Sequence, residues 1–194
     1  GVLRPLPSLD DNRMSRLTRA GSLYGWQTIA RLRRDGFMPR AEPCGVLHLA
    51  RDGAQEGKMH KVVDALALPP AHLRYVEATE AAAIAGCTVR HGGWFFGDSG
   101  WVQPPSLCRT LLQSAEASAP LRTHFGARVE RIAHVDAQWQ ALAADGSLIA
   151  AAPTLILAAG TGVVRFPEAS ALPVVSARGQ VSLLPAGADS PPRV

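Results

Sequence analysis

The stretch from 91 to 112, HGGWFFGDSGWVQPPSLCRTLL, restricts the possible folds of this chain more than any other part of the sequence. Two aromatic runs, 94–96 and 101–103, are separated by a short glycine-containing loop, which predicts a β-hairpin. Pro104 and Pro105 prevent a continuing central strand, but they suit the first turn of a helix, where a missing N–H costs nothing. The sequence therefore predicts a hairpin and then a helix, with Trp94 and Trp101 either filling the core or lining a pocket.

The first forty residues predict a long basic helix. A capping residue within 10–12 and the Asp35-Gly36 pair bound a helix from Arg13 to Arg34. Eight arginines and three aspartates give this part a net charge of +5. Because guanidinium groups bind phosphate bidentately, the helix either contacts a nucleic acid or presents a solvated face. The candidate phosphate ligands are Arg13, Arg16, Arg19, Arg31, Arg33 and Arg34. The positions expected to be buried are Met14, Leu17, Trp26, Ile29 and Ala30.

From residue 121 onward the pattern changes to that of a β-meander. The Asp145-Gly146 pair between two short apolar runs predicts a hairpin. The continuous apolar run 154–160 predicts a central strand covered on both faces. This run ends in Ala158, Ala159 and Gly160, whose missing side chains let the backbone approach another group closely. Taken alone, the pattern fits a buried strand with its turn as well as a nucleotide-contacting turn.

Several classes of protein are excluded by what the sequence lacks. It contains no GxSxG, P-loop, HExxH or GxGxxG motif. The three cysteines form no CxxC and the six histidines show no ligand spacing, so we expect neither a disulfide framework nor a metal site, and a reducing cytoplasm fits best. No apolar run reaches the roughly 18 residues that cross a bilayer, so no membrane association is expected. Without an initiator Met, the chain is expected to be a processed chain or an excised piece of a longer protein.

The order of motifs resembles that of the D-amino-acid-oxidase-like flavoproteins, and in particular the oxidase half of bifunctional enzymes that modify the wobble uridine of tRNA. The likeness covers nearly the whole chain. It rests on the opening Gly-Val-Leu-Arg-Pro, the basic helix, Gly-Gly-Trp and Trp-Val-x-Pro-Pro within 91–112, the region of Val129, Leu-Ile-Leu-Ala-Ala-Gly at 155–160 and Ala-Arg-Gly-Gln at 177–180.

The resemblance implies a mixed α/β (α+β) fold that lacks the amino-terminal GxGxxG unit of the family. An antiparallel substrate-type sheet would be built from residues near 44–50, 72–76, 94–103 and 172–184, and a partial FAD-binding layer from 121–165. The corresponding segments are a helical flavin and substrate interface at 1–43, the substrate-type sheet and helices at 44–112, the FAD-binding meander and strand at 113–171, and a return to the substrate-type sheet at 172–194.

The resemblance also implies an FAD-dependent oxidoreductase that acts on a CH–NH group. The parent would remove the carboxymethyl group of 5-carboxymethylaminomethyl-(2-thio)uridine in tRNA, and it would carry a methyltransferase domain that uses S-adenosylmethionine. The piece alone is expected to be inactive. Two alternatives stay open: a non-catalytic tRNA-binding module, and a glycine- or sarcosine-type small-amine oxidase.

Residue roles follow from the same resemblance. Val129 would hold the adenine through its backbone, and Arg178 would polarise the flavin or meet the substrate carboxylate, unless it forms a surface ion pair. The remaining expected cofactor contacts are Leu3, Arg4, Ala158, Ala159 and Gly160.

Overall fold

The computed structural model describes residues 1–177 and Gly179. Gly1–Leu121 form one compact unit, and the described residues from Arg122 onward form a second. The first unit contains four helices, α1 (Arg13–Arg34), α2 (Gly53–Leu66), α3 (Ala78–Ala85) and α4 (Pro104–Ser118). Its strands are β1 (Val2–Leu3), β2 (Ala41–Glu42), β3 (Val46–Leu49), β4 (Arg74–Val76), β5 (Gly93–Phe96) and β6 (Gly100–Val102). The mixture of helices and small antiparallel sheets confirms the predicted α/β class.

The expected hairpin between the two aromatic runs is wrong. Strand β5 is the centre of a β3-β5-β4 sheet, whereas β6 is the centre of a separate β1-β6-β2 sheet. The intervening loop is held by other segments: the Asp98 N–H donates to the Ala71 carbonyl at 3.0 Å, and the Gly45 N–H donates to the Ser99 carbonyl at 2.8 Å. Both edges of each aromatic strand are occupied by different partners, so neither strand has an edge left for the other. The single substrate-type sheet that we expected is therefore two three-stranded sheets.

Two glycines of the aromatic stretch are required by close backbone contacts. A Cβ atom at Gly93 would lie 2.2 Å from the His48 carbonyl oxygen, and one at Gly100 would lie 1.9 Å from the Glu42 carbonyl oxygen. Both distances are far below van der Waals contact. The glycines therefore let the central strand of each sheet lie against its neighbour.

Helix α1 has the predicted bounds but a different buried face. Its amino terminus is capped by Asn12, whose side chain accepts the Ser15 N–H. The buried positions are Ser15, Ser22, Ile29 and Leu32. Of the residues expected to be buried, Ile29 is buried and Trp26 is half-buried, but Met14, Leu17 and Ala30 are exposed, Leu17 by 69%. Serines at the contact surface let the helix pack closely, so the apolar pattern pointed to the wrong face.

Two apolar clusters form the core of the first unit. One joins Val46, Val62, Leu73 and Phe96, and Trp94 packs against it while donating its indole N–H to the Met59 carbonyl at 3.0 Å. The other joins Ile29, Ala41 and Val102, with Leu3, Trp26 and Leu107 packed around them. Trp94 is therefore a core residue. Trp101, by contrast, is 39% exposed and belongs to neither cluster.

The second unit is a three-stranded meander of β7 (Arg131–Val135), β8 (Gln138–Leu142) and β9 (Leu148–Ala152). It confirms the hairpin at Asp145-Gly146, where Gly146 has a φ of +83°. Two 3₁₀ helices follow, Gly160–Arg165 and Pro167–Ala169.

The strand predicted at 154–160 is wrong. Residues 154–159 are irregular, and Ile156 is 83% exposed. An apolar run becomes a central strand only when other strands pair with both of its edges and further layers cover its faces. No strand among the described residues pairs with it. Residues 172–177 and 179 likewise lie outside any strand, and the rest of the region 172–184 lies outside the described residues.

Candidate functional site

Two of the predicted cofactor residues border one cleft in the second unit. Val129 and Ala159 lie 30 positions apart in sequence, and they line a cleft of about 250 Å³. We call this the meander cleft; its other lining residues are Glu130, Gly162, Arg165 and Phe166. Ala158 and Gly160 flank Ala159, and Gly160 opens the first 3₁₀ helix with a φ of +55°.

The composition of the meander cleft suits a planar, hydrogen-bonding ring. Phe166 and Arg165, an aromatic and a guanidinium side chain, are among its lining residues, and Val129 is half-buried. Its volume is below the range of about 300–1,000 Å³ typical of sites for whole drug-sized ligands. The cleft thus has room for one end of a dinucleotide.

The other two predicted cofactor residues, Leu3 and Arg4, lie in the first unit. The Leu3 side chain is packed in the core against Gly25, where a Cβ would lie 3.0 Å from the leucine Cδ2 atom. Leu3 is half-buried, and its backbone lies on β1, which is an edge strand of its sheet. The Arg4 guanidinium lies 5.3 Å from the Phe96 ring centroid and donates to the Pro5 carbonyl at 2.9 Å.

Arg4 lies in a partly desolvated place next to a histidine. Burial lowers the pKa of Arg4 from its ordinary value. Burial and, to a lesser degree, the charge of Arg4 lower the pKa of His48, which favours the neutral imidazole. The buried Nδ1 atom of His48 has no hydrogen-bond partner among the described residues.

The six arginines predicted to bind phosphate fall into two groups. Arg19 makes a bidentate ion pair with Asp11, at 2.9 and 3.1 Å, and Arg33 donates to the carbonyl oxygen of Ala41. The other four are exposed, and none is ion-paired within the described part of the chain: Arg13, Arg16, Arg31 and Arg34. Arg13 and Arg31 are 18 positions apart, and so are Arg16 and Arg34. Because 18 positions are five helical turns, the two arginines of each pair lie on the same face of the helix.

A larger cleft lies in the first unit between the two aromatic strands. Its volume is about 580 Å³, and we call it the aromatic cleft. Its lining residues are Glu42, Cys44, Gly45, Leu47, Ile84, Phe95 and Trp101. Sequence reasoning named Trp101 as a possible pocket wall, but it missed Glu42 and Phe95. The only available signal was strand alternation, which sends Ala41 to the core and Glu42 to the opposite face.

The carboxylate of Glu56 is held by several hydrogen bonds and has a structural role. Glu56 on α2 accepts hydrogen bonds from the Gly92 N–H at 2.9 Å and the Tyr75 hydroxyl at 2.9 Å, and it pairs with His91 Nδ1 at 3.1 Å. These contacts, the Gly92 N–H first, hold the pKa of Glu56 below its usual range. Desolvation and then Glu56 raise the pKa of Tyr75 to about 12. The carboxylate thus fastens α2 to the start of β5.

Arg178 lies outside the described residues, so its predicted role stays a prediction. Among the residues that are described, no three His, Cys, Asp or Glu side chains are grouped as metal ligands would be. No described helix combines the length and apolar character needed to cross a bilayer.

Comparison with known proteins agrees with the motif order. The sequence profile of the FAD dependent oxidoreductase family matches residues 1–193. A protein of Azoarcus sp. (strain BH72) named tRNA 5-methylaminomethyl-2-thiouridine biosynthesis bifunctional protein MnmC is 65% identical over 194 residues, which is 100% of this chain and 30% of that protein. Proteins of the same name from Aromatoleum aromaticum and Paraburkholderia xenovorans are 50% and 38% identical over 100% and 99% of the chain.

The chain therefore spans about 30% of the length of these relatives. The family match covers both compact units, the aromatic strands and the meander cleft. This chain belongs to the FAD-dependent oxidoreductase family.

Proposed function

We propose that this chain is part of an FAD-dependent oxidoreductase that modifies the wobble uridine of tRNA. The reaction is the oxidative removal of the carboxymethyl group from 5-carboxymethylaminomethyl-(2-thio)uridine, which leaves the 5-aminomethyl base. The observation that carries the proposal is the 65% identity, over the entire chain, to a protein named for tRNA 5-methylaminomethyl-2-thiouridine biosynthesis.

The cofactor proposal rests on residues present in the chain. Val129, with Ala158, Ala159 and Gly160, would hold the adenine end of FAD in the meander cleft. Leu3 is proposed to contact the flavin through its backbone, and Arg4 through its partly desolvated guanidinium. These residues would hold FAD, whose chemistry would be the two-electron oxidation of the C–H bond next to the substrate nitrogen. Arg178 is proposed to meet the substrate carboxylate or to polarise the flavin.

The tRNA proposal rests on the exposed face of α1. Arg13 and Arg16 lie near the start of the helix, and Arg31 and Arg34 lie 18 positions further on, which corresponds to about 27 Å along the helix axis. Exposed guanidinium groups at this spacing can contact separated phosphates of one folded RNA. Arg19 and Arg33, which are engaged within the chain, would position the helix.

Further partners follow from the relatives' names and lengths. We propose that the intact protein also carries a methyltransferase domain that uses S-adenosylmethionine, since the relatives are called bifunctional and the chain spans about 30% of their length. We also propose a cytoplasmic location, where tRNA is modified. The 194-residue piece alone is expected to be inactive.

The test uses the intact gene product loaded with FAD and tRNA from cells that lack the activity. Nucleoside mass spectrometry should show loss of the carboxymethylaminomethyl base, with release of glyoxylate. Oxidation of free glycine or sarcosine, with the tRNA unchanged, would indicate a small-amine oxidase instead. Salt-sensitive tRNA binding without turnover would indicate a non-catalytic binding module.

A further inference from the structure

The aromatic cleft presents an acidic and aromatic surface on the face of the β1-β6-β2 sheet that is opposite to α1. Pairing aligns Val2 with Trp101 and Trp101 with Glu42, so these three side chains form one row across the sheet. The opposite face, with Ala41 and Val102, packs on Ile29 of α1. Directly paired side chains have Cβ atoms about 4.5–5.5 Å apart, so Glu42 and Trp101 are direct neighbours on this face.

The second aromatic wall is fixed by a glycine. Gly45 has a φ of +80°, and a Cβ atom there would lie 2.6 Å from Cζ of Phe95. The Phe95 ring therefore rests directly on the backbone at position 45. Its ring already accepts a cation, because the Arg74 guanidinium lies 5.0 Å from its centroid while pairing with Glu80 at 2.7 Å.

The negative charge of the aromatic cleft indicates which kind of ligand it can bind. Glu42 is the charged residue among those that line the cleft. Within the described residues it forms no ion pair. A carboxylate beside an aromatic face recognises an organic cation, because the ring quadrupole and the negative charge both attract it. Aromatic faces also stack on nucleobases.

We propose that the aromatic cleft binds a pyrimidine base that carries a cationic aminomethyl group, with the base stacked on Trp101 and the ammonium group facing Glu42. This inference rests on the proposed function, because it assigns the 5-aminomethyl product base of that reaction to this cleft. The volume of about 580 Å³ is sufficient for a nucleoside.

The test measures binding of 5-(aminomethyl)uridine to the full chain by isothermal titration calorimetry, with uridine as the control ligand. The aminomethylated nucleoside should bind at least about tenfold more tightly than uridine, as a charge-assisted contact predicts. Glu42→Gln should remove this preference and leave the affinity for uridine unchanged. Trp101→Leu should weaken binding of both nucleosides about tenfold. Glu116→Gln, an exposed carboxylate on α4, is the matched control and should change neither.

Circular dichroism and thermal unfolding verify that each variant is folded. Equal affinities for the two nucleosides, no measurable binding, or an unaltered preference in folded Glu42→Gln would overturn the proposal. The proposed function is tested separately, by tRNA turnover in the intact protein. Nucleoside binding without turnover would therefore keep this site and reject the reaction.

Discussion

Replacing Phe96 by alanine is expected to destabilise the first unit far more than the same replacement at its neighbour Phe95. Phe96 is 0% exposed and packs among Val46, Val62 and Leu73, so its removal leaves a closed cavity. Changes of this kind reduce the free energy of unfolding by about 3–5 kcal/mol. Phe95 is half-buried at the wall of the aromatic cleft. Losing about half of a full apolar burial costs about 1 kcal/mol.

Urea unfolding followed by tryptophan fluorescence measures the difference. Three of the four tryptophans, Trp26, Trp94 and Trp101, lie in the first unit and report mainly on it. With an m-value of about 2 kcal/mol/M, Phe96→Ala should lower the midpoint by about 2 M and Phe95→Ala by about 0.5 M. Equal shifts, or a larger one for Phe95→Ala, would refute the register of β5 and, with it, the position of the aromatic cleft.

Three further predictions concern a carboxylate, a glycine and the arginine face. Hydrogen bonds from the Gly92 N–H, His91 and Tyr75 lower the folded-state pKa of Glu56. The ionised carboxylate therefore stabilises the fold above its unfolded pKa of about 4.3, and this stabilisation is lost as the pH falls through the folded-state pKa. In acid-unfolding curves, the difference in stability between wild type and Glu56→Gln should shrink as the pH falls below about 4.3. Gly100→Ala pushes a methyl group into a neighbouring carbonyl oxygen and should lower the melting temperature by several degrees, whereas an unchanged melting temperature would contradict the β2–β6 contact. Arg16→Gln should reduce the slope of log affinity for tRNA against log salt by about 0.9, and Arg19→Gln should instead lower thermal stability.

The sequence was most informative where structure is local. The cap and end of α1, and the Asp145-Gly146 turn, depend on residues within a few positions of one another, and they formed as predicted. The aromatic stretch failed because strand pairing is not local. A glycine-rich loop permits a hairpin, but β5 pairs with β3 and β6 pairs with β1, each more than forty positions away in sequence.

Burial could not be predicted from apolarity alone. The run 154–159 is as apolar as a central strand, yet it has no pairing partner among the described strands. On α1 the reverse occurred, because Ser15 and Ser22 are buried while Leu17 is exposed. The composition of a segment shows whether it can be buried, but whether it is buried depends on the elements that pack against it.

The candidate sites show the same division. Val129 and Ala159 were named only because the family resemblance assigned roles to them, since nothing in a separation of 30 positions predicts that they share a cleft. Glu42 belongs to no motif and lies on a strand of two residues. Its position beside Trp101 follows from the register of β2 and β6, which no local pattern encodes.

Helix α1 separates the two proposed substrate-binding surfaces. Its inner side packs on the sheet through Ile29, and Arg33 donates to the Ala41 carbonyl, next to Glu42. The exposed arginines therefore lie on one side of the sheet and the aromatic cleft on the other, separated by at least the helix diameter of about 10 Å. Sites this far apart should contribute independently to binding. In the intact protein, the losses of affinity for modified tRNA caused by Arg16→Gln and Glu42→Gln should add in the double variant to within about 0.5 kcal/mol. A clearly smaller combined loss in filter-binding assays would mean that the two residues act on one contact, and it would reject the assignment of phosphate and base to opposite faces.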